Sequence, residues 1–162
     1  MRHAAIATAI LFAAALPAAA QNASQITAVQ GGASCAGCNL FQAELAGAQL
    51  KGRNFSRARL RQADLSLGVF NRSRFSGADM RDVNAYGALF SSADFAGADL
   101  TNASFVGTYL QGANFAGATL DGTNFSGAEM DRARGLTRAR LARACGDEAT
   151  TLPAGLDIPR CR

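Results

Sequence analysis

Four cysteines are the residues best suited to carry chemistry in this 162-residue chain. Cys35 and Cys38 form a Cys-x-x-Cys pair near the start, and Cys145 and Cys161 lie near the end. Cysteines in such patterns form redox pairs, zinc sites, c-type haem attachments or plain structural disulfides. A c-type haem attachment requires histidine directly after the second cysteine, and Asn39 stands there instead. The other three interpretations depend on where the fold places the two pairs.

Histidine chemistry is not expected in the mature chain, because the only histidine, His3, lies in a segment that we expect to be removed. Arg2 precedes an apolar stretch, and small residues at Ala18 and Ala20 fit a secretory cleavage site. We therefore predict a cleavable signal peptide over residues 1–20, with cleavage after Ala20, and a periplasmic or secreted location. The alternative is an uncleaved helical anchor, for which the apolar stretch is short. No membrane span is expected.

Export has two consequences for chemistry. Without His3 there is no imidazole for a catalytic triad, a general base or a His-containing zinc site. In an oxidising compartment, four cysteines are most simply two disulfides. The composition, with 49% apolar and 17% charged residues, is that of a folded chain rather than a charged disordered tail.

A period of five residues governs the chain from position 40 to position 130. The nineteen positions divisible by five hold eight Leu, eight Phe, two Met and one Ala, and seventeen of the positions two residues earlier are small. Ten of the positions two residues later are Gly. A helix repeats at 3.6 residues and a strand at 2, so neither produces this pattern. Short extended stretches separated by corners do, with Gly supplying positive φ at the corner.

This pattern, for example Ala93-Asp94-Phe95-Ala96-Gly97, resembles the tandem motif of pentapeptide-repeat proteins over about residues 38–132. The resemblance implies an all-β fold, a right-handed quadrilateral β-helix with one pentad per side and twenty residues per coil. With coils ~4.8 Å apart, the rod would be about 24 Å long. The predicted organisation is an N-terminal cap, the β-helix and a C-terminal cap with a short helix. Their bounds are 21–37, 38–135 and 136–162.

A twenty-residue coil stacks residues that lie twenty apart in the sequence. One side then carries a core ladder of four phenylalanines, Phe55, Phe75, Phe95 and Phe115. Beyond the repeats, Gly135 breaks the Leu/Phe series, and Thr137 is suited to cap a helix over residues 138–145. Arg53 occupies an otherwise small site. We expect its side chain to extend toward the open N-terminal end, with a local bulge as the alternative.

In such a rod the two cysteine pairs lie at opposite ends. They are too far apart to share one zinc ion, whose bonds to sulfur are ~2.3 Å long. A thioredoxin-like pair needs a βαβ setting, which the repeat does not provide. We therefore predict that a Cys35–Cys38 disulfide closes the first corner and that a Cys145–Cys161 disulfide ties the C-terminal cap. No metal and no cofactor are expected.

Paired carboxylates are the remaining candidates for catalysis. The coil places Asp79 and Asp99 on consecutive rungs ~5 Å apart, a spacing that acid–base pairs use. Both occupy the family's usual Asp/Asn position on a convex face, so we predict no catalytic residues and no enzyme activity. Basic residues dominate 51–74 and acidic residues dominate 79–131. The shift of twenty also places Arg59 beside Asp79.

An apolar patch is the least expected feature of the outer surface, because outward positions of such rods are usually polar. Two neighbouring outward columns and the corner between them hold six apolar residues. They are Leu67, Val69, Tyr86, Leu89, Val106 and Tyr109. A contiguous exposed apolar patch usually marks an interaction site. We predict that these residues, called the apolar patch below, bind an unknown protein partner or mediate self-association, for instance as a homodimer. The alternative is that the chain after Cys145 folds back and covers the patch.

The sequence therefore favours a rigid, non-catalytic interaction or structural module. The resemblance suggests a second hypothesis, because some family members mimic DNA and act on type II topoisomerases. Export and the net charge of +4 disfavour it. No nucleic-acid partner is expected.

Overall fold

The computed structural model describes residues 21–162, and the predicted signal peptide lies outside them. Two helices, α1 (Ala23–Gln30) and α2 (Arg138–Leu141), flank the repeat region. Between them, parallel bridges start at Asn39 and recur every five residues, each joining a residue to the one twenty further on. The described chain therefore winds in twenty-residue coils with four columns of bridges. The extended stretches are very short, and each contributes a single bridging residue to its column.

A tight turn follows each bridge. In the first of them, the N–H group of Ala43 donates to the carbonyl of Leu40 at 3.1 Å, and Gln42 between them has a φ of 54°. A positive φ at the third residue alone is the geometry of a type II turn. All eighteen corners from position 42 to position 127 have positive φ, although eight of them are not Gly. Glycine is therefore favoured at the corners but not required.

Hydrogen bonds between coils hold the non-glycine corners in this conformation. The N–H group of Gln42 donates to the carbonyl of Arg61 at 3.0 Å, and that of Leu40 donates to Arg59 at 2.8 Å. A left-handed conformation costs a non-glycine residue ~1–2 kcal/mol. Each corner recovers part of this cost by saturating backbone groups that would otherwise lie unpaired between the coils.

Large apolar side chains fill the centre of the coils. Every position divisible by five from 40 to 130 is at most 2% exposed. The four phenylalanines of the core ladder stack in register, with successive ring centroids 5.2, 5.3 and 5.2 Å apart. A second side stacks Phe70 on Phe90 at 5.2 Å, and these rings meet the first ladder edge-on. The core is thus a continuous apolar column.

Three buried polar residues replace alanine at the small inward positions, and each is paired. The Ser73 hydroxyl donates to the carbonyl of Leu50 at 2.7 Å, and that of Thr123 donates to Leu100 at 2.8 Å. The Thr108 hydroxyl donates to a carbonyl three residues earlier at 2.7 Å. Their burial therefore leaves no polar atom without a partner.

Helix α1 covers the open first coil and was not foreseen from the sequence. The side chain of Asn22 accepts a hydrogen bond from the N–H group of Gln25, which starts the helix. Ile26 and Val29 are buried against the core. The Gln25 side chain accepts from the N–H group of Asn39 at 2.8 Å, so the cap also pairs backbone at the edge of the coil. These contacts remove the exposed apolar end that a solenoid would otherwise have.

Helix α2 begins as predicted and ends earlier. The Thr137 side chain accepts from the N–H group of Arg140 at 3.3 Å. The helix stops at Leu141, so the predicted extent of 138–145 is wrong. The reason is tertiary, because Cys145 leaves the helix to form a parallel bridge with Asn124 and so begins another coil.

Arg53 leaves the coil undisturbed. Its neighbour Asn54 bridges Arg74 in normal register, so the alternative of a local bulge is wrong. The side chain is exposed, and one guanidinium nitrogen lies 3.8 Å from the position that a Cβ on Gly32 would occupy. Arg53 thus points toward the N-terminal end of the rod, as predicted.

Candidate interaction surface

The four cysteines form the two pairs predicted from the rod. Cys35 is joined to Cys38 with the Cα atoms 5.4 Å apart, and Cys145 is joined to Cys161 with the Cα atoms 4.8 Å apart. No free cysteine remains in the part of the chain that the structure describes. The Cys35 side chain is buried beside α1, and Cys161 lies against Asn124 of the last repeats. Both pairs therefore occupy caps.

The two candidate carboxylates are bridged by an arginine. The Arg81 guanidinium donates to both oxygens of Asp79, at 2.8 and 2.7 Å, and lies 3.6 Å from an Asp99 oxygen. These hydrogen bonds lower the pKa of Asp79 below its ordinary value. A general acid needs a raised pKa, so Asp79 is unsuited to that role. Arg59 is the bridge partner of Asp79, as the register predicted, but the ion pair forms with Arg81.

A shallow depression of about 250 Å³ adjoins this ion pair. Three arginines line it, and Phe41, Gln62 and Asp79 complete the wall; the arginines are Arg59, Arg61 and Arg81. Two of the arginines already have carboxylate partners, Arg81 with Asp79 and Arg61 with Asp82. Across residues 21–162, no group of three or more His, Cys, Asp or Glu side chains is arranged to hold a metal ion.

The apolar patch is exposed and continuous. Val69, Leu89 and Tyr109 follow one another as parallel bridge partners, so their side chains form one outward column. The N–H group of Gly87 donates to the carbonyl of Val106 at 2.9 Å, which places Val106 one rung beyond Tyr86. The four largest side chains of the patch are exposed in part. Their exposed fractions are 63% for Leu67, 55% for Tyr86, 40% for Leu89 and 38% for Tyr109.

Leu67 connects the two columns across the corner. A Cβ on Gly87 would lie 3.0 Å from the Cδ2 atom of Leu67, so the leucine side chain rests over this glycine. The backbone of Leu67 itself has a φ of 57°, and its N–H group donates to the carbonyl of Tyr86 at 2.8 Å. The Leu67 side chain therefore lies over the corner that separates the column of Tyr86 from the column of Leu89.

The C-terminal tail does not cover the patch. Thr151 bridges Glu129, and the sulfur of Cys161 lies near Asn124 and Ser126. The tail therefore stacks on the end of the last repeats and leaves the patch side chains exposed. The alternative in which the tail folds back over the patch is wrong.

A polar column borders the apolar patch and was missed by the sequence reasoning. Its members, defined here as the polar column, are Lys51, Asn71, Ser91, Gln111 and Asp131. The Gln111 side chain donates to the Asp131 carboxylate, and this bond, with another from Thr151, lowers the pKa of Asp131. A positive charge thus stands at one end of the column and a negative charge at the other. The same shift of twenty that revealed the patch also identifies this column.

The geometry is that of a repeat solenoid capped at both ends. The family description "Pentapeptide repeats" matches in eight copies over residues 54–91, 69–107 and 88–127. Residues 54–127 belong to the pentapeptide-repeat family. Neither helix in residues 21–162 is long and apolar enough to cross a membrane.

Solved structures of the same repeat are similar to this chain. A pentapeptide-repeat protein of the Arabidopsis thaliana thylakoid lumen is 24% identical, with 65% of this chain and 58% of that chain covered and a TM-score of 0.30. This chain therefore spans little more than half of that protein. Rfr23 from the cyanobacterium Cyanothece 51142 is 20% identical, with 80% and 98% covered and a TM-score of 0.39.

QnrB1, a plasmid-mediated fluoroquinolone resistance protein, is 19% identical, with 75% of this chain and 77% of that chain covered and a TM-score of 0.33. No curated protein matches the sequence.

Proposed function

We propose that this protein is an exported, non-catalytic interaction module that presents the apolar patch on a rigid, right-handed, four-sided rod. The exposure of Leu67, Tyr86 and Leu89 side by side carries the proposal. Burying such side chains against a partner releases ~25 cal/mol for each Å² of apolar surface removed from water. A contiguous group of exposed apolar side chains on a protein surface usually marks an interaction site.

Two observations favour this role over catalysis. The carboxylate pair is engaged by Arg81, with the pKa of Asp79 lowered rather than raised. Each surface residue of the rod is held by four columns of bridges and a packed core, so the surface is preorganised for docking.

The DNA-mimic function is the weaker candidate. A DNA mimic needs a continuous acidic face, whereas seven basic residues lie between Lys51 and Arg74 against one acid, Asp64. These basic residues therefore interrupt the row of negative charges that a mimic of the DNA phosphates needs along the rod. The predicted export would also separate the protein from chromosomal topoisomerases.

A photo-crosslinking experiment tests the proposal in intact cells. A photoreactive amino acid at Leu89 should give discrete protein adducts that mass spectrometry identifies. The matched control places it at Thr119, which is exposed in the equivalent slot on the opposite side of the coil. Equal adduct patterns from both positions, or none from Leu89, would contradict the proposal. Cleavage after Ala20, read from the N-terminus of the recovered protein, tests export.

A further inference from the structure

Leu89 is the central residue of the outward column that also holds Val69 and Tyr109. Leu89 bridges Val69 on one flank and Tyr109 on the other, and beyond these lie Gln49 and Glu129. The polar column beside it is centred in the same way on Ser91. Apolar residues thus occupy the middle rungs of one column, while opposite charges occupy the two ends of the other.

We propose that the apolar patch binds a second copy of this chain, with the two rods antiparallel and Leu89 of each copy at the two-fold axis. This inference rests on the proposed function, because it names the occupant of the same patch. In a face-to-face two-fold pair, the axis lies in the interface and each surface meets itself. An axis along the strand direction reverses the order of the rungs but keeps each column opposite its own copy.

The antiparallel register matches apolar residues with apolar residues. Leu89 meets Leu89, and Val69 of one copy meets Tyr109 of the second copy. A parallel pair whose axis runs along the rod midway between the two columns would instead place the apolar column against the polar column. Leu89 would then face Ser91, and Glu129 would face Asp131, which is a like-charge contact. A parallel pair with its axis along the apolar column would place Glu129 against Glu129, again a like-charge contact. The sequence of the two columns therefore favours the antiparallel pair, in which Glu129 faces Gln49.

The corner column provides a shape match. It consists of Leu67 and four glycines, Gly47, Gly87, Gly107 and Gly127. Reversal about the centre places Leu67 of one copy opposite Gly107 of the second copy. Apart from Gly107 and its two chain neighbours, no described residue has an atom within 4 Å of the position that a Cβ on Gly107 would occupy. The most exposed apolar side chain of the patch therefore meets an open site.

The ends of the two columns are complementary in charge. Lys51 of one copy faces Asp131 of the second copy, and Gln49 faces Glu129, and the symmetry makes each contact twice. All four side chains are exposed within a single copy. The Asp131 carboxylate is held in its charged form by its hydrogen bonds with Gln111 and Thr151. Such rim charges set orientation and partner choice more than affinity.

Sedimentation velocity of the purified protein over a wide concentration series measures the self-association directly. We expect a monomer–dimer equilibrium whose dimer fraction rises with protein concentration. Leu89→Asp and Leu67→Arg should each abolish the dimer. Arg57 and Arg72 already occupy corners with φ of 58° and 60°, so Leu67→Arg is compatible with the fold. Thr119→Asp, on the opposite side, is the matched control and should leave the dimer intact.

A charge exchange tests the antiparallel register. Lys51→Glu and Asp131→Lys should each weaken dimerisation by about tenfold or more, because each creates like-charge contacts. The double variant restores opposite charges across the interface and should return the dissociation constant to within a few-fold of the original. Additive losses in the double variant would overturn the antiparallel register.

A cysteine at the centre gives a second measure of the register. Ser91→Cys should produce a disulfide-linked dimer on mild oxidation, because Ser91 faces its own copy. Asn71→Cys alone should not, but a mixture of Asn71→Cys and Gln111→Cys proteins should, since those rungs oppose each other. Linked dimers from Asn71→Cys alone, formed as readily as from Ser91→Cys, would overturn the register.

The failure of this inference is distinguishable from failure of the proposed function. A protein that is monomeric at all concentrations, with adducts from Leu89 to a different protein, overturns self-association and leaves the interaction module standing. A monomeric protein without any Leu89 adduct overturns both. Adducts whose mass and peptides correspond to two copies of this chain support both.

Discussion

The rings of Phe75 and Phe95 stack with their centroids 5.3 Å apart and an interplanar angle of 11°, although twenty residues separate them in the chain. This contact repeats the stacking of Phe55 on Phe75 one coil earlier and of Phe95 on Phe115 one coil later. Each coil therefore contacts mainly its two neighbours. In such a solenoid, stability is approximately a sum of local terms and interfaces between adjacent coils.

Phe95→Ala should destabilise the protein by ~3–5 kcal/mol, because it removes a fully buried ring that stacks on two others. Urea unfolding followed by circular dichroism measures the change. Tyr109→Ala is the control, since it removes an aromatic ring from the exposed apolar patch, and should cost much less. A cost below ~1 kcal/mol for Phe95→Ala would contradict the buried ladder.

Gly68 occupies the small inward position that is alanine at twelve of nineteen repeats, and its neighbourhood explains the difference. A Cβ there would lie 2.4 Å from Cε2 of Phe70, whose ring is stacked on Phe90. Gly68→Ala should therefore cost ~1–3 kcal/mol through overpacking.

Gly117→Ala is the matched control for this substitution. Gly117 has a φ of 71°, and a Cβ there would meet only ordinary contacts, the closest at 3.7 Å. Its strain of ~1–2 kcal/mol is offset in part by ~0.4–1 kcal/mol from the less flexible unfolded chain. Denaturant midpoints compare the two variants, and an equal or smaller cost for Gly68→Ala would show that the ring of Phe70 can move aside.

Asp79 should make stability depend on pH in the acid range. Its pKa is lowered in the folded protein, chiefly by the hydrogen bond from Arg81, so the folded state binds fewer protons than the unfolded state. This contribution is present above the unfolded pKa of ~3.9 and is lost as the pH falls through the folded pKa.

Arg81→Gln removes the chief cause of the shift, the hydrogen bonds from the Arg81 side chain, and leaves the one from the backbone N–H group of residue 81. The pKa of Asp79, followed by NMR titration of its carboxyl carbon, should rise toward the ordinary value in this variant. Arg61→Gln is the control, because Arg61 is the last and smallest of the causes that lower this pKa. A pKa that stays unchanged in Arg81→Gln would mean that the observed ion pair does not persist in solution.

The repeat region could be predicted because each pentad repeats the same pattern of small, polar and large apolar residues. The spacing of Phe55, Phe75 and Phe95 fixes the register, and the register then fixes which residues are neighbours across coils. The same rule identifies the residues of the apolar patch from the sequence alone. The rule does not predict where the Leu67 side chain lies. Its position over Gly87 depends on packing at that particular corner, whereas the rule treats all corners alike.

The caps could not be predicted to the same degree, because nothing in them repeats. Helix α1 has eight residues and only two buried side chains, Ile26 and Val29, which is too short a stretch for a periodic signal. At the other end, residues up to Cys145 have helical character in the sequence. The bridge between Cys145 and Asn124 overrides that local preference.

The two disulfides should contribute unequally to stability. Cys145 and Cys161 are separated by 16 positions and Cys35 and Cys38 by 3, so the first bond restricts the unfolded chain more. In the chain-entropy description, the longer loop contributes ~3 kcal/mol and the shorter one ~2 kcal/mol. Replacing Cys145 and Cys161 together by serine should therefore lower the denaturant midpoint more than the same replacement of Cys35 and Cys38.

Pairwise replacement avoids leaving an unpaired thiol that could form mixed disulfides. Intact mass with and without reduction before alkylation provides the control, since the unchanged protein should gain alkyl groups only after reduction. Alkylation without reduction would show free thiols and contradict both bonds. Equal losses from the two double variants would contradict the dependence on loop length.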